Sequence, residues 1–565
     1  MAQSKALSNR QIARAAAVVI FGFLTSGALG VIRTAAIAAS FGTSDSLDAF
    51  IAAQRIPEML FVLVAGGALG SSFLPVFARF RANGDETGAW RLASSVMTLT
   101  AAAAAVFALV VALLAPLLVP TLLVPGKPPE MQALTVSLIQ IMLVTAVIFS
   151  VSGLLMAILN AHQMFLLPAL APSMYNIGLI FGALVLARAF PPDINVGGEL
   201  LSNLANGAYR VQVWRFLLPD MATAGVAQAN VYGLAGGAVL GALLHLAVQL
   251  PALRKIGWRL RVLPDYRIPG AREVLTLMGP RVLGLAVTQI NFAVNINFSS
   301  SMVSGSLVAL NTAWQLMFLA LGIIAQSIGT AVFPSLSALA AEGDMAGFKQ
   351  RLAGALRGVL FLSFPASVGL IVLGMPVIRL LFERGEWTAE SSAATAWALA
   401  FFAVGIAGHS LLEVLSRAFY ALSDTRTPVI IGLVSMVSNI ILSFVFIRVI
   451  GEPGNLSRGP FAGLALANSL TTILEGLALW YLLRRRIGDL NDRYVIFGAI
   501  RAAAAAVGMG VVVWLVTLLA QDYGALITAI AGFGAGAAAF FGLSILIGID
   551  EARTVPGMIL RRVRR

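Results

Sequence analysis

Apolar runs of eighteen residues or more recur along the whole 565-residue chain, and they limit what it can fold into. As a helix, each run is long enough to cross roughly 30 Å of hydrocarbon. A soluble fold of this size would need polar faces alternating with apolar ones. Here 59% of residues are hydrophobic and 11% charged, against about 25% charged in an ordinary soluble domain. The short alternating segments of a transmembrane β-barrel are missing too. The expected fold is therefore an all-α polytopic membrane protein. Fourteen spans can be drawn, the first over 13–41 and the last over 524–549.

The net charge of +13 sits between the apolar runs and in the tail Arg561-Arg562-Val563-Arg564-Arg565. That placement suits loops against an anionic leaflet and argues against nucleic acid as a partner. The loops alternate in charge. One side holds Arg79 and Arg81, Arg254 to Arg272, Lys349 and Arg351, and Arg484 to Arg493. The other holds Asp45, Asp48, Glu383, Glu386 and Glu390. Basic short loops stay in the cytoplasm, which puts both termini there. The basic N-terminus leads into a retained first span and not into a cleavable signal. One outer connection, 191–229, is unusually long and reads as a solvent-exposed excursion. There are no cysteines, which excludes disulfides and thiolate sites. His162, His245 and His409 stand too far apart in sequence for an expected metal site.

The chain repeats itself. Leu69-Gly70-Ser71-Ser72-Phe73-Leu74-Pro75 echoes Ile328-Gly329-Thr330-Ala331-Val332-Phe333-Pro334. Gly84-Asp85 then echoes Gly343-Asp344, and Gly88 echoes Gly347, at a constant offset of 259. Leu159 and Asn176 pair with Leu422 and Asn439 at an offset of 263. Six spans fall in each copy and run in the same direction. This predicts two lobes in parallel pseudo-twofold repeat, with a substrate site between them. The expected divisions are 1–265 for the N-lobe, 266–490 for the C-lobe, and 491–565 for two added helices and a basic tail. Gly532, Gly534 and Gly536 in the last span suit close packing or a groove for a lipid chain.

Charges inside spans are costly and face a cavity or each other. Arg33 lies eight residues before the end of span one, roughly 12 Å along a helix, which is deep for snorkelling. Arg55 and Glu58 open span two. His409, Glu413 and Arg417 share one face of span ten at i, i+4, i+8 spacing. They read either as a structural ion pair or as an ion-coupling site. Span seven carries Arg281, Gln289, Asn291, Asn295 and Asn297; span eight carries Asn311, Gln315 and Gln326. These amides serve as helix–helix glue or as a hydrated cavity wall. No phosphate-binding loop, zinc-protease or nucleophile-elbow motif is present. Asp489 and Asp492, flanked by arginines, read as a solvated face. The expectation is a transporter with no catalytic residues, no cofactor and no metal.

Several motifs taken together resemble a known family. Leu29-Gly30-Val31-Ile32-Arg33, Phe41-Gly42-Thr43, Asp48-Ala49-Phe50, Arg55-Ile56-Pro57, Gly67-Ala68 and Phe73-Leu74-Pro75 are similar to the N-terminal signature of the MurJ (MviN) lipid II flippases. Arg417-Ala418-Phe419-Tyr420-Ala421-Leu422 with Asp424-Thr425-Arg426-Thr427-Pro428 resembles their span-ten exit. Met278-Gly279-Pro280 and Phe333-Pro334-Ser335-Leu336 fit as well. The resemblance implies the fold of the multidrug/oligosaccharidyl-lipid/polysaccharide exporter superfamily, with a central cavity and a groove near spans thirteen and fourteen for the polyprenyl tail. It also implies substrate contacts at Arg33, Asp48 and Arg55. The departures are specific. Gly27 stands where the family has an arginine, Phe61 replaces a second, Gly66 replaces an acid, and Trp314-Gln315-Leu316 aligns with a pattern holding another arginine. Arg281 is a candidate to compensate, with Asn311 and Gln315 beside it in the substrate-binding set.

The function implied is translocation of an undecaprenyl-pyrophosphate-linked peptidoglycan precursor, lipid II, across the bacterial inner membrane by alternating access. The partners expected are that lipid-linked saccharide and membrane lipids, with the chain a monomer. The competing readings are an exporter of another polyprenyl-linked oligosaccharide, a drug/cation antiporter of the same superfamily, a membrane-embedded transferase, and a scaffold. A transferase would need clustered carboxylates, which are absent. The duplication and the charges within spans argue against a scaffold.

Overall fold

The computed structural model describes residues 9–62, 67–189, 229–268 and 270–552. The outer connection placed at 191–229 and the arginine tail fall almost wholly outside the described residues. Within them the chain is helical, with no strand. It divides into two compact units, Met1–Ser301 and Met302–Arg565.

The first unit contains α1 (Asn9–Phe41), α2 (Asp45–Leu60), α3 (Gly67–Ala82), α4 (Glu86–Leu118), α5 (Pro129–Ala161), α6 (Leu166–Phe181), α7 (Val231–Ala247), the short α8 (Leu250–Lys255) and α9 (Ala271–Ser300). Phe73, Phe77, Trp90, Leu92, Leu154 and Ile158 bring α3, α4 and α5 together in one buried cluster. α6 and α7 pack backbone to backbone: a Cβ on Gly178 would lie 2.2 Å from Gly241 Cα. Close approach through small residues is how helices associate where lipid offers no hydrophobic drive.

The second unit contains α10 (Ser306–Leu321), α11 (Ser327–Glu342), α12 (Met345–Phe382), α13 (Ala389–Val404), α14 (Ile406–Ala421), α15 (Arg426–Val449), α16 (Ala462–Ile487), α17 (Asp492–Ala520) and α18 (Ala525–Leu546). α12 is its axis. One face meets α14 and α16 through Phe348, Leu356, Val414, Phe419 and Leu479. Another holds the added pair α17 and α18 through Phe361, Ala505, Met509, Val513 and Phe540. The glycines of α18 divide in role. A Cβ on Gly532 would meet Leu373 at 2.5 Å and one on Gly536 would meet Val513 at 3.0 Å, whereas Gly534 faces open space.

Among the described residues, eleven helices are long and apolar enough to cross a membrane, or twelve with α13 and α14 counted as one span bent by 45°. The multi-pass helical fold expected from the apolar runs is present, while the count of fourteen is not fixed by length and composition. The two other expected spans, 55–79 and 274–303, fall on helices rich in polar groups or broken in the described chain. α2 is 16 residues long with Asp45, Asp48, Arg55 and Glu58 in it. α9 begins with Arg272 and Glu273 and ends in amides.

The sequence repeat has a structural counterpart in each unit. Gly84 and Gly343 both take left-handed backbone, at φ 76° and 75°. Asp85 and Asp344 then cap the next helix, their carboxylates accepting from the N–H of Gly88 and Gly347 at 2.7 and 2.8 Å. Only a glycine enters that turn without strain, and a short acid answers the helix's unsatisfied donors. The second echo shifts register. α5 and α14 each end in a left-handed residue, Gln163 and Ser423, both at φ 59°. Those positions differ by 260, so Asn176 and Asn439, paired in the sequence at 263, stand three residues out of register.

Candidate functional site

In the first unit, Arg33 and Arg55 hang from α1 and α2. Arg33 Nη1 donates to Asn176 Oδ1 on α6 at 3.1 Å. Asn176 Nδ2 donates back to the Ser26 carbonyl at 3.1 Å, so the amide is oriented from both ends. Arg55 pairs with Glu58 one turn on at 3.1 Å, and its guanidinium lies 4.2 Å over the Phe292 ring of α9. Its neighbour Gln54 donates to the Tyr175 hydroxyl at 3.2 Å. A guanidinium held flat on a ring or forked to an acceptor loses little entropy when it meets phosphate oxygens.

Asp48, expected among the substrate contacts, has a structural partner. Lys127, in the turn between α4 and α5, reaches Asp48 at 3.1 Å and Asp45 at 3.0 Å. Asp48 is 2% exposed and Lys127 8%. Burial alone pulls Lys127 down, but Asp48 and Asp45 outweigh it and hold the ammonium above its ordinary pKa. The same turn reaches α9. Gly126 N–H donates to Ser300 Oγ at 3.1 Å, and Asn297 donates to the Leu122 carbonyl at 2.7 Å. This turn therefore fixes the start of α2, which carries Arg55, and the end of α9, which carries Phe292. Arg281 lies on α9, and its side chain lies outside the described residues.

In the second unit, Asn311 and Gln315 occupy one face of α10, both half-buried. Between them Trp314 stands edge-on to His409 of α14, with ring centroids 5.9 Å apart. His409 Nε2 is 3.1 Å from Asn468 Oδ1 on α16. One turn on, Glu413 and Arg417 form an ion pair. Arg417 also donates to Thr330 on α11 at 3.3 Å. It packs where Gly329 has no side chain: a Cβ there would lie 2.4 Å from Nη1. The glycine of the repeated motif thus seats an arginine. Of the three residues read as one face, Glu413 and Arg417 are joined, while His409 turns to Trp314 and Asn468.

The Asp424-Thr425-Arg426-Thr427-Pro428 signature is a helix start. Asp424 accepts from the N–H of Arg426 and Thr427 at 3.1 and 3.0 Å and pairs with Arg486. The Thr427 N–H above all, with its hydroxyl and Arg486, holds the Asp424 carboxyl below its usual range.

Three polar residues outside the sequence-derived set emerge. Lys127 was hidden in a short Val-Pro-Gly-Lys-Pro turn. Asn176 figured only as a repeat marker. Glu475 is a lone acid in the middle of α16, close to Ser435 of α15. An isolated carboxylate in an apolar run is itself a signal of function or pairing. No cluster of potential metal ligands occurs among the described residues.

Comparison with known proteins gives the family. The family model described as "Lipid II flippase MurJ" matches residues 37–533, a range that includes Asp48 and Arg55 and begins just after Arg33. The lipid II flippase MurJ of Burkholderia cenocepacia is 29% identical over 507 residues, covering 88% of this chain and 89% of its own. The probable lipid II flippase MurJ of Vibrio cholerae is 28% identical, covering 96% and 97%. Among solved structures, a lipid II flippase MurJ in an inward closed conformation aligns with a TM-score of 0.70 and 24% identity, over 94% of this chain and 98% of that one. An inward-facing multidrug transporter of the MATE family aligns at 0.61 and 14%, over 84% and 99%. The match to the family model spans most of the chain, and the chain therefore belongs to the MurJ family of lipid II flippases.

Proposed function

We propose that this protein translocates lipid II, an undecaprenyl-pyrophosphate-linked peptidoglycan precursor, from the inner to the outer leaflet of the bacterial inner membrane. The observation that carries the reading is the match to the flippase family over residues 37–533. Arg33 and Arg55 support it, since both are supported by neighbouring helices within one unit. Their guanidinium forks suit the diphosphate, Asp48 holds the start of α2, and Asn311 and Gln315 serve as saccharide contacts. Arg281 joins them as a further cation. Movement is by alternating access of two lobes, 1–265 and 266–490, with 491–565 added to the second. The protein works as a monomer with both termini in the cytoplasm.

The replaced arginines favour one further reading, another polyprenyl-linked oligosaccharide as substrate. Gly27, Phe61 and Gln315 leave fewer cations than the family pattern holds. The test is complementation of a bacterium depleted of its own lipid II flippase. Growth and normal shape are expected. Lysis despite membrane insertion would overturn the lipid II assignment and leave the second reading.

A further inference from the structure

The second unit contains a cavity of about 540 Å³ that the transport reading does not use, at the start of α17. It is lined by Arg357, Arg493, Arg501, Tyr494, Phe497 and Asp489. Arg357, on α12, forms the floor. It is 7% exposed, pairs with Glu551 at 2.6 Å and Asp550 at 3.4 Å just beyond α18, and lies 4.2 Å over the Tyr494 ring. Gly498 makes room for it: a Cβ there would meet Arg357 Nε at 2.8 Å. The floor is thus a neutralised latch between α12, α17 and the end of α18.

The wall is different. Arg493, Phe497 and Arg501 are spaced i, i+4, i+8 and share one face of α17. Both arginines are exposed, and among the described residues neither has an acidic partner. Asp489 is answered elsewhere: it accepts from the Asp492 N–H and feels Arg484 and Lys349. In the sequence every charged side chain after Glu551 is an arginine: Arg553, Arg561, Arg562, Arg564 and Arg565. The Cα atoms of Arg493 and Arg501 stand about 12 Å apart along the axis, a span two arginine side chains can close, with Arg501 about 13 Å beyond the helix start. That is the depth of headgroups and the first acyl carbons, from which an arginine reaches back to phosphate. The flanks are apolar: Ile496 is 47% exposed, Phe497 53% and Ile500 58%.

We propose that this cavity binds the phosphodiester headgroup of an anionic glycerophospholipid in the leaflet on the basic-loop side. Arg493 and Arg501 clamp the phosphate, and the acyl chains lie along Phe497 and Ile500. Basic pockets between spans on that side suit such headgroups. A free phosphate would satisfy the arginines but leave the apolar flanks uncovered, so a lipid is the occupant. The site lies beside the latch that ties α18 to α12, so the headgroup rests on the joint of the added helix pair.

The test uses the full-length protein, delipidated in a neutral detergent, with binding of phosphatidylglycerol and phosphatidylcholine followed by native mass spectrometry. Phosphatidylglycerol should bind at least fivefold tighter, weaken with salt, and be unaffected by millimolar inorganic phosphate. Arg493→Gln with Arg501→Gln should bring the two lipids within twofold of each other. Arg493→Lys with Arg501→Lys should keep a preference of intermediate size, which also controls for folding. The proposal is overturned by equal binding of the two lipids in the parent, by an undiminished preference in the glutamine variant, or by displacement with inorganic phosphate. If the glutamine pair does not fold, Arg501→Gln alone decides: an unchanged preference refutes the site.

Discussion

The turn holding Lys127 should be worth more to this protein than any surface ion pair. Lys127 and Asp48 are 8% and 2% exposed and lie 3.1 Å apart. At an effective dielectric near 20, that separation corresponds to about 5 kcal/mol of attraction. Removing two ions from water costs several kcal/mol each, so the pair nets little against an apolar replacement. Removing one partner alone is another matter, because a buried carboxylate then loses its cation. Lys127→Met should therefore lower stability by about 3 kcal/mol. Asp45 is 48% exposed, and Asp45→Asn should cost under about 1 kcal/mol. Lys127→Met combined with Asp48→Asn should recover most of the loss, giving a coupling energy of at least about 2 kcal/mol. The assay is equilibrium unfolding in mixed micelles with increasing SDS, read by tryptophan fluorescence, across the double-mutant cycle. The pH dependence carries a sign. Lys127 is raised in the folded state, so its contribution is fully present below the ordinary lysine pKa of about 10.4 and is lost as pH rises through the higher folded value. Its contribution should be flat from pH 6 to 9 and fall only in strong alkali. A coupling below about 0.5 kcal/mol would refute the claim that the turn anchors α2.

Asn176→Ala should loosen Arg33 and slow flipping several-fold in liposomes while leaving insertion intact; an unchanged rate would show that Arg33 is positioned by other contacts. Gly329→Ala should displace Arg417 from Thr330, since the new methyl would fall 2.4 Å from Nη1, and lower stability by about 1–3 kcal/mol in the same SDS titration. Gly27 has nothing within 4 Å of a built Cβ, so Gly27→Arg should fold and, for a lipid II substrate, strengthen complementation of a flippase-depleted strain. Glu475→Gln and Glu413→Gln should be compared for flipping across pH and imposed potentials. The expectation is that one changes the dependence and that Glu413→Gln also loosens α14; parental behaviour from both would place ion coupling elsewhere.

The fold was legible because its signals are long and repeated. Apolar runs reveal spans without knowledge of contacts, and Gly84-Asp85 and Gly343-Asp344 mark turns whose backbone only glycine enters easily. Arg417 and Glu413 were legible as a pair because a helix brings i and i+4 together unaided. The rest depends on which helices meet, and sequence spacing is silent about that. Asn176 orients Arg33 from 143 residues away. Phe292 supports Arg55 from α9, and Lys127 crosses from one turn to the start of another helix. His409 shows the limit of the periodic argument: it shares a face with Glu413, yet its partners come from α10 and α16. Asp48 shows the converse. Its place in a family motif suggested substrate, and its buried pairing with Lys127 supplies a structural reason for an acid there.

The sequence carries no nucleotide-binding motif, and on the proposed reading transport draws on an ion gradient, the membrane potential or consumption of the product outside. If the substrate is a pyrophosphate-linked lipid, each phosphorus brings a negative charge, and outward movement runs with an inside-negative potential. That is worth about 2.3 kcal/mol per charge per 100 mV. The total over a cycle depends only on the charge delivered, because the protein returns to its starting state. What the protein controls is where the work appears. Arginines that neutralise the diphosphate make the loaded step electrically silent and transfer the driving force to the return of a positively charged empty carrier. If Gly27, Phe61 and Gln315 face the diphosphate where the resemblance implies cations, less of its charge is cancelled. More of the electrical work then falls on the loaded step itself. On that reading, weaker phosphate binding and a potential that pushes the loaded carrier outward would be two consequences of one set of replacements. The second offsets the first wherever loaded-carrier movement limits the rate.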